Sequence, residues 1–92
     1  MIFEWNENKR IINLEKHGID FIDAYKLWLS IMAIAEDKRY DYSESRFIAL
    51  GLLKNRVVVC AYTTRGNDTI RIISLRKANK REIKRYEQNE KK

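Results

Sequence analysis

The pattern of apolar and polar positions divides the chain into eight short segments. Ile2-Phe3-Glu4-Trp5 is a mostly apolar opening run and predicts an edge strand. Asn6 follows as a helix N-cap, with Glu7 placed where a negative charge suits the helix dipole. Apolar Ile11, Ile12 and Leu14 give one side of a helix over about Asn8–Lys16, and His17-Gly18 stops it. Asp20 can cap a second helix, in which Phe21, Ile22, Tyr25, Trp28 and Leu29 recur at amphipathic spacing and should pack into the core. Ser30–Ala35 reads as a strand, Arg39–Ser43 as a polar loop with two tyrosines, and Ser45–Leu53 as a strand. Lys54-Asn55 is a turn into a β-branched strand that begins Val57-Val58-Val59 and runs to about Thr64. Arg65–Asp68 is a hairpin loop and Thr69–Arg76 the next strand. Asn79 with Glu82 forms a capping-box pattern for a last helix from about Lys80 to Gln88, and Gln88–Lys92 reads as a frayed tail.

The tight turns between the later strands make neighbours antiparallel. The expected architecture is α+β: a small twisted antiparallel sheet with two N-terminal helices on one face and a C-terminal helix. No linker divides residues 1–92, so a single domain is expected. Segregated helices would leave the other sheet face partly open.

Charge changes this picture more than length does. The 92 residues carry a net charge of +6, distributed unevenly. Residues 1–46 hold 7 basic and 9 acidic side chains, whereas residues 47–92 hold 12 and 4. A basic half suggests a polyanionic partner, most often nucleic acid, against the plainer alternative of a solvated lysine-rich surface. The one cysteine, Cys60, excludes an internal disulfide framework and fits a reducing cytoplasm. One His and one Cys leave little for a zinc site, and no apolar run is long enough for a membrane helix. Neither a cofactor nor a metal is expected, because the Walker, dinucleotide and nucleophile-elbow motifs are absent from the sequence.

The candidate chemistry lies in the late strands. Arg71 sits in a strand that is mostly apolar on both sides, so its guanidinium needs an anionic partner, either a substrate phosphate or a structural carboxylate. Arg76 has the opposite parity, and on a regular strand it would point away from Arg71 unless a bulge redirects it. Glu44 and Arg46 share parity and should sit side by side. His17 closes the first helix, where its charge suits the dipole, and histidine is also the usual acid or base near neutral pH. Tyr86 and Ile83 should dock the last helix. Lys77, Lys80, Arg81, Lys84 and Arg85 form a basic stripe beside Arg76, with Arg65 at the hairpin, and are expected to bind RNA as a rim that tracks phosphates, against the plainer alternative of a solvated face.

The ordered residues resemble the BrnT family of type II toxin–antitoxin toxins. The likeness rests on Phe3-Glu4-Trp5 with Lys9, and on the run Asn13–Phe21 with Ala24. It continues through Glu44–Gly51, Tyr62-Thr63-Thr64-Arg65 and Arg71–Ala78, then Glu82 and Tyr86. It covers nearly the whole chain, with departures at Asn6, Ser43 and Leu75. The resemblance implies a RelE-like fold and an RNA-cutting toxin that stops translation. It also implies a BrnA-like ribbon-helix-helix antitoxin partner, operator DNA reached only through the toxin–antitoxin complex, and a dimer of heterodimers. Combined with the residue reading, it suggests metal-independent attack by the RNA 2′-hydroxyl. Arg46 and Arg71 would hold the phosphate, Arg76 would add a further clamp, Glu44 would act as base or orienter, and Tyr86 or His17 would move a proton. The contrasting expectation is a non-catalytic basic module that docks an antitoxin, DNA or the ribosome. The nuclease reading requires these guanidinium groups to gather on one uncovered sheet surface.

Overall fold

The computed structural model describes residues 1–39, 41 and 43–90. Strand β1 (Ile2–Trp5) leads into helix α1 (Glu7–His17), and a 3₁₀ helix follows over Phe21–Leu29. The remaining elements are β2 (Ala33–Asp37), β3 (Arg46–Leu53), β4 (Arg56–Arg65), β5 (Thr69–Lys77) and helix α2 (Lys80–Glu90). Tyr40 and Tyr42 of the expected loop, and Lys91 and Lys92 of the expected tail, lie outside the described residues. Gln88 and Asn89 belong to α2 rather than to a frayed end.

Local chemistry forms the helix ends. The Asn6 side chain accepts a hydrogen bond from the Lys9 amide, and Gly18 closes α1 in the left-handed conformation at φ 71°. At α2 the amide of Glu82 donates to Asn79 Oδ1 and the amide of Asn79 donates to Glu82 Oε1, a reciprocal capping box. The β3–β4 hairpin turns on Lys54 and Asn55, both at positive φ, as a two-residue turn requires when it must match strand twist.

The second helix departs from the amphipathic α-helix expected of it. Its buried residues are Phe21, Ala24 and Leu27, three apart, because a 3₁₀ helix has three residues per turn. Ile22, Tyr25 and Leu29, expected in the core, are exposed at 49%, 44% and 77%. The helix approaches β3 closely at Gly51, where a Cβ would stand 3.0 Å from Leu27 Cδ2.

The sheet order is β1-β5-β4-β3-β2. Strands β2 to β5 pair antiparallel as expected, but β1 runs parallel to β5, so the sheet is mixed. The reason is connectivity. No turn joins β1 to β5, and α1 with the 3₁₀ helix carries the chain across the sheet to its opposite edge before β2 begins. Phe21, Ala24 and Leu27 pack with Val58, Cys60, Ile72 and Leu75 on one face. Tyr86 of α2 packs with Leu50 and Val59, residues of opposite parity on β3 and β4. Helices therefore cover both faces, the second only at its Leu50–Val59 end, and the face left partly open is smaller than expected.

One polar group is built into the core. Asn13 on α1 is 7% exposed. Its Nδ2 donates to the carbonyls of Leu75 at 2.8 Å and Ile19 at 3.1 Å, and its Oδ1 accepts from the Leu75 amide at 3.2 Å. Strand β1 ends at the Trp5–Ile72 pair, so β5 has lost its strand neighbour by Leu75. The Asn13 amide takes the place of the missing peptide.

Candidate functional site

The register of the five strands assembles a row of polar side chains across the half-open face. Asp37 lies opposite Arg46, Arg46 opposite Thr63, Thr63 opposite Arg71, and Arg71 opposite Glu4. Directly opposed residues in a sheet project from the same face. The row thus reads carboxylate, guanidinium, hydroxyl, guanidinium, carboxylate, with one residue from each strand. Arg46 and Arg71 stand two strand spacings apart, about 9.6 Å between backbones, close enough for two long side chains to converge above Thr63.

Each member has a defined setting. Thr63 is 1% exposed and its Oγ1 donates to the Ser45 carbonyl at 2.6 Å, which fixes the entry to β3. Arg71 Nη1 donates to Glu4 Oε2 at 2.5 Å, with side chains 28% and 37% exposed. Asp37 is 5% exposed at its side chain and accepts both Nε and Nη2 of Arg39. A groove of about 480 Å³ opens at that end, lined by Asp37, Lys38, Arg39, Glu44 and Ser45 among others. A second, of about 470 Å³, runs between β2, β3 and α2 over Ile48 and Leu50. Arg46 and Arg71 line neither groove.

A β-bulge decides where Arg76 points. Ala61 pairs with Ser74 but Tyr62 pairs with Ile72, so Ile73 is an extra residue on β5. The insertion reverses the parity beyond it and brings Arg76 to the same face as Arg71. The two are nonetheless separated: Arg76 pairs with Val59 and Arg71 with Thr63, about 13 Å apart along β4. Arg76 is also committed to α2, donating two 2.9 Å hydrogen bonds to the Glu82 carboxylate. The expectation of three arginines around one phosphate therefore gives way to a pair in one row and a third in a helix-anchoring ion pair.

The Glu82 hydrogen bonds hold the Arg76 pKa above its ordinary value, against partial burial and the nearby Arg39 charge. Reciprocally, Arg76 holds the Glu82 carboxylate below its ordinary 4.5, opposed by burial and helped by the Asn79 amide and the charges of Arg76 and Arg85. A depressed carboxylate pKa stabilises the fold above the unfolded-state value and loses that contribution as pH falls through the folded-state value. Urea unfolding of Glu82→Gln should show lower stability than the parent at neutral pH. The gap should close as pH drops well below 4.5. A gap that stayed constant across that range would remove the ion pair as its cause.

The other expected site residues are scattered. Glu44 precedes β3 rather than sitting beside Arg46 in it, and its ion partner is Arg65 at 3.9 Å. The shared parity expected of Glu44 and Arg46 fails because the strand begins at Arg46. His17 ends α1, which is tied through Asn13 to the carbonyl of Ile19 in the cluster on the opposite face, with Lys16 beside it in the last turn. Tyr86 is 3% exposed and its hydroxyl donates to the Ile31 carbonyl, which docks α2 as expected but keeps the phenol away from the row. Lys77, Lys80, Arg81, Lys84 and Arg85 are exposed along the end of β5 and α2. Glu4, Asp37 and Thr63 carry no signal in the sequence that marks them as site residues. The alternation Phe3-Glu4-Trp5 placed Glu4 opposite the core side, but nothing in the sequence paired β1 with β5. Cys60 is buried, and desolvation pushes its thiol up to about 12, so it is poorly suited to act as a nucleophile.

Fold and face together define a small basic α+β protein with one half-open sheet surface crossed by a charged row. A family model described as the ribonuclease toxin, BrnT, of type II toxin–antitoxin systems matches residues 5–82. The chain belongs to this BrnT family of ribonuclease toxins. It is similar in structure to the Brucella abortus ribonuclease toxin BrnT, whose crystal structure was determined at 1.1 Å resolution. The TM-score is 0.69 at 25% identity, covering 87% of this chain and 100% of that one. No curated protein sequence matches the chain. Among the described residues no helix is long and apolar enough to cross a membrane.

Proposed function

We propose that the chain is a metal-independent endoribonuclease that inhibits translation, with its RNA site on the half-open sheet face. The observation that carries this reading is the in-register row with Arg46 and Arg71 on either side of Thr63. RNA cleavage by 2′-hydroxyl attack passes through a phosphorane whose charge needs fixed cationic donors. Two guanidinium groups on rigid central strands meet that need, and the Glu4 contact orients Arg71 while engaging one of its several N–H donors. The exposed cations of α2, with Lys77 and Arg65, supply a rim that tracks flanking phosphates. Arg76 serves this reading by fixing α2.

The proposed setting is one RelE-like domain in the cytoplasm, neutralised by a BrnA-like ribbon-helix-helix antitoxin in a dimer of heterodimers. Operator DNA would be met only through that complex. A second reading has one observation in its favour: Arg71 and Arg76 are each bound to a carboxylate, as in a docking surface without chemistry.

Purified protein freed of antitoxin and incubated with RNA and EDTA separates the two. The nuclease reading expects fragments ending in 2′,3′-cyclic phosphate and 5′-hydroxyl at an undiminished rate. Cleavage abolished by EDTA and restored by a divalent ion would end the metal-independent mechanism. Intact RNA under every condition would leave the docking module.

A further inference from the structure

From the geometry we infer that Glu4, on edge strand β1, is the general base of the cleavage. This rests on the ribonuclease reading above and deepens it. Attack by a 2′-hydroxyl needs an acceptor beside the phosphate clamp that substrate can reach. Among the described groups, four other acceptors are less well placed. Glu44 precedes β3 and is paired with Arg65, Tyr86 is buried, and His17 ends α1, whose Asn13 bonds the carbonyl of Ile19 in the cluster on the opposite face. Asp37, at the far end of the row, is 5% exposed and doubly bonded by Arg39. Glu4 is 37% exposed and is the direct cross-strand partner of Arg71.

The ion pair gives the base a means of activation. In the free protein Arg71 Nη1 is bonded to Glu4 Oε2 at 2.5 Å. A phosphodiester that seats against Arg71 competes for the same guanidinium. As Arg71 turns its donors to the phosphate, the Glu4 carboxylate loses part of its counter-charge next to the 2′-hydroxyl. It accepts the hydroxyl proton, the 2′-oxygen bonds to phosphorus, and the phosphorus–O5′ bond breaks. The departing oxygen takes a proton from water, and the hydroxide so formed recovers the proton from Glu4. The products are a 2′,3′-cyclic phosphate and a 5′-hydroxyl, and the carboxylate is regenerated.

The test is single-turnover cleavage of an RNA oligonucleotide across pH by the full chain and two variants. Glu4→Gln keeps an oxygen that accepts from Arg71 but cannot take the proton. It should lose about 10²- to 10⁴-fold in rate with affinity for the oligonucleotide nearly unchanged, and the rise of rate with pH should flatten. Glu4→Asp, which keeps the charge and sets it back by one methylene, should retain that rise at a reduced rate. Parent-like rates in Glu4→Gln, or weaker binding with an unchanged rate, would overturn the assignment. So would a slow Glu4→Gln whose pH dependence matches the parent, since Glu4 would then only position Arg71. Should Glu4→Gln not fold, a Glu4→Asp variant that keeps the rise of rate with pH at a reduced rate supports a carboxylate base, and one without any rise of rate with pH overturns it. A parent protein that cuts no RNA overturns the ribonuclease reading and this base with it, whereas a parent that cuts while Glu4→Gln keeps pace overturns Glu4 alone.

Discussion

Arg71→Ala is expected to cut RNA at least about 100-fold more slowly than the parent, the usual cost of losing one fixed donor to a developing oxyanion, or about 2.7–4 kcal/mol of transition-state stabilisation. Arg71 occupies β5 between Thr63 on β4 and Glu4 on β1, so its backbone is held by strands on both sides. The substitution removes the side chain and leaves Glu4, already 37% exposed, to water. Far-UV circular dichroism should therefore match the parent while the cleavage rate falls. Arg71→Lys should recover only part of the loss, because an ammonium keeps the charge but not the planar fork of donors. Parent-like rates from Arg71→Ala would remove the row as the phosphate site.

The largest effect on stability is expected at a residue far from that row. Asn13→Ala strips the hydrogen-bond partners from the Leu75 amide, the Leu75 carbonyl and the Ile19 carbonyl in one change. An unsatisfied buried backbone group costs about 1–3 kcal/mol. Allowing for partial rescue by water, the total should be about 2–5 kcal/mol, against about 5–15 kcal/mol for a whole small domain. Urea unfolding should show a lower midpoint with the slope retained. Asn13→Asp should also destabilise, since it keeps the acceptor for the Leu75 amide but loses both donated bonds and buries a charge. A loss below about 0.5 kcal/mol in Asn13→Ala would place this substitution among ordinary surface changes and refute the bridging role.

Three helix ends were legible because their signals are local. Asn6 bonds an amide three residues on, Gly18 needs only its own φ, and Asn79 and Glu82 cap each other across a single turn. The later strand runs and the Lys54-Asn55 turn were legible for the same reason, whereas the strand expected over Ser30–Ala35 runs instead over Ala33–Asp37, taking in two charged residues that pair with β3. The second helix misled because its apolar residues satisfy two periods. Phe21 and Trp28 fit a 3.6-residue repeat with Ile22, Tyr25 and Leu29, while Phe21, Ala24 and Leu27 fit a repeat of three. Ala24 carries little hydrophobic weight in a sequence pattern, yet its small size suits the fully buried position it occupies.

By itself the sequence determined the element order, the α+β class, the basic second half and the family. Each of these depends on residue type and near neighbours. Tertiary structure decided which charges meet. Glu4 and Arg71 are 67 residues apart and touch because β1 docks parallel on β5. Arg71 and Arg76 share a face because one extra residue, Ile73, shifts the register of β5. A row that draws one side chain from each of five strands has its period in space rather than along the chain, and only strand pairing can create it.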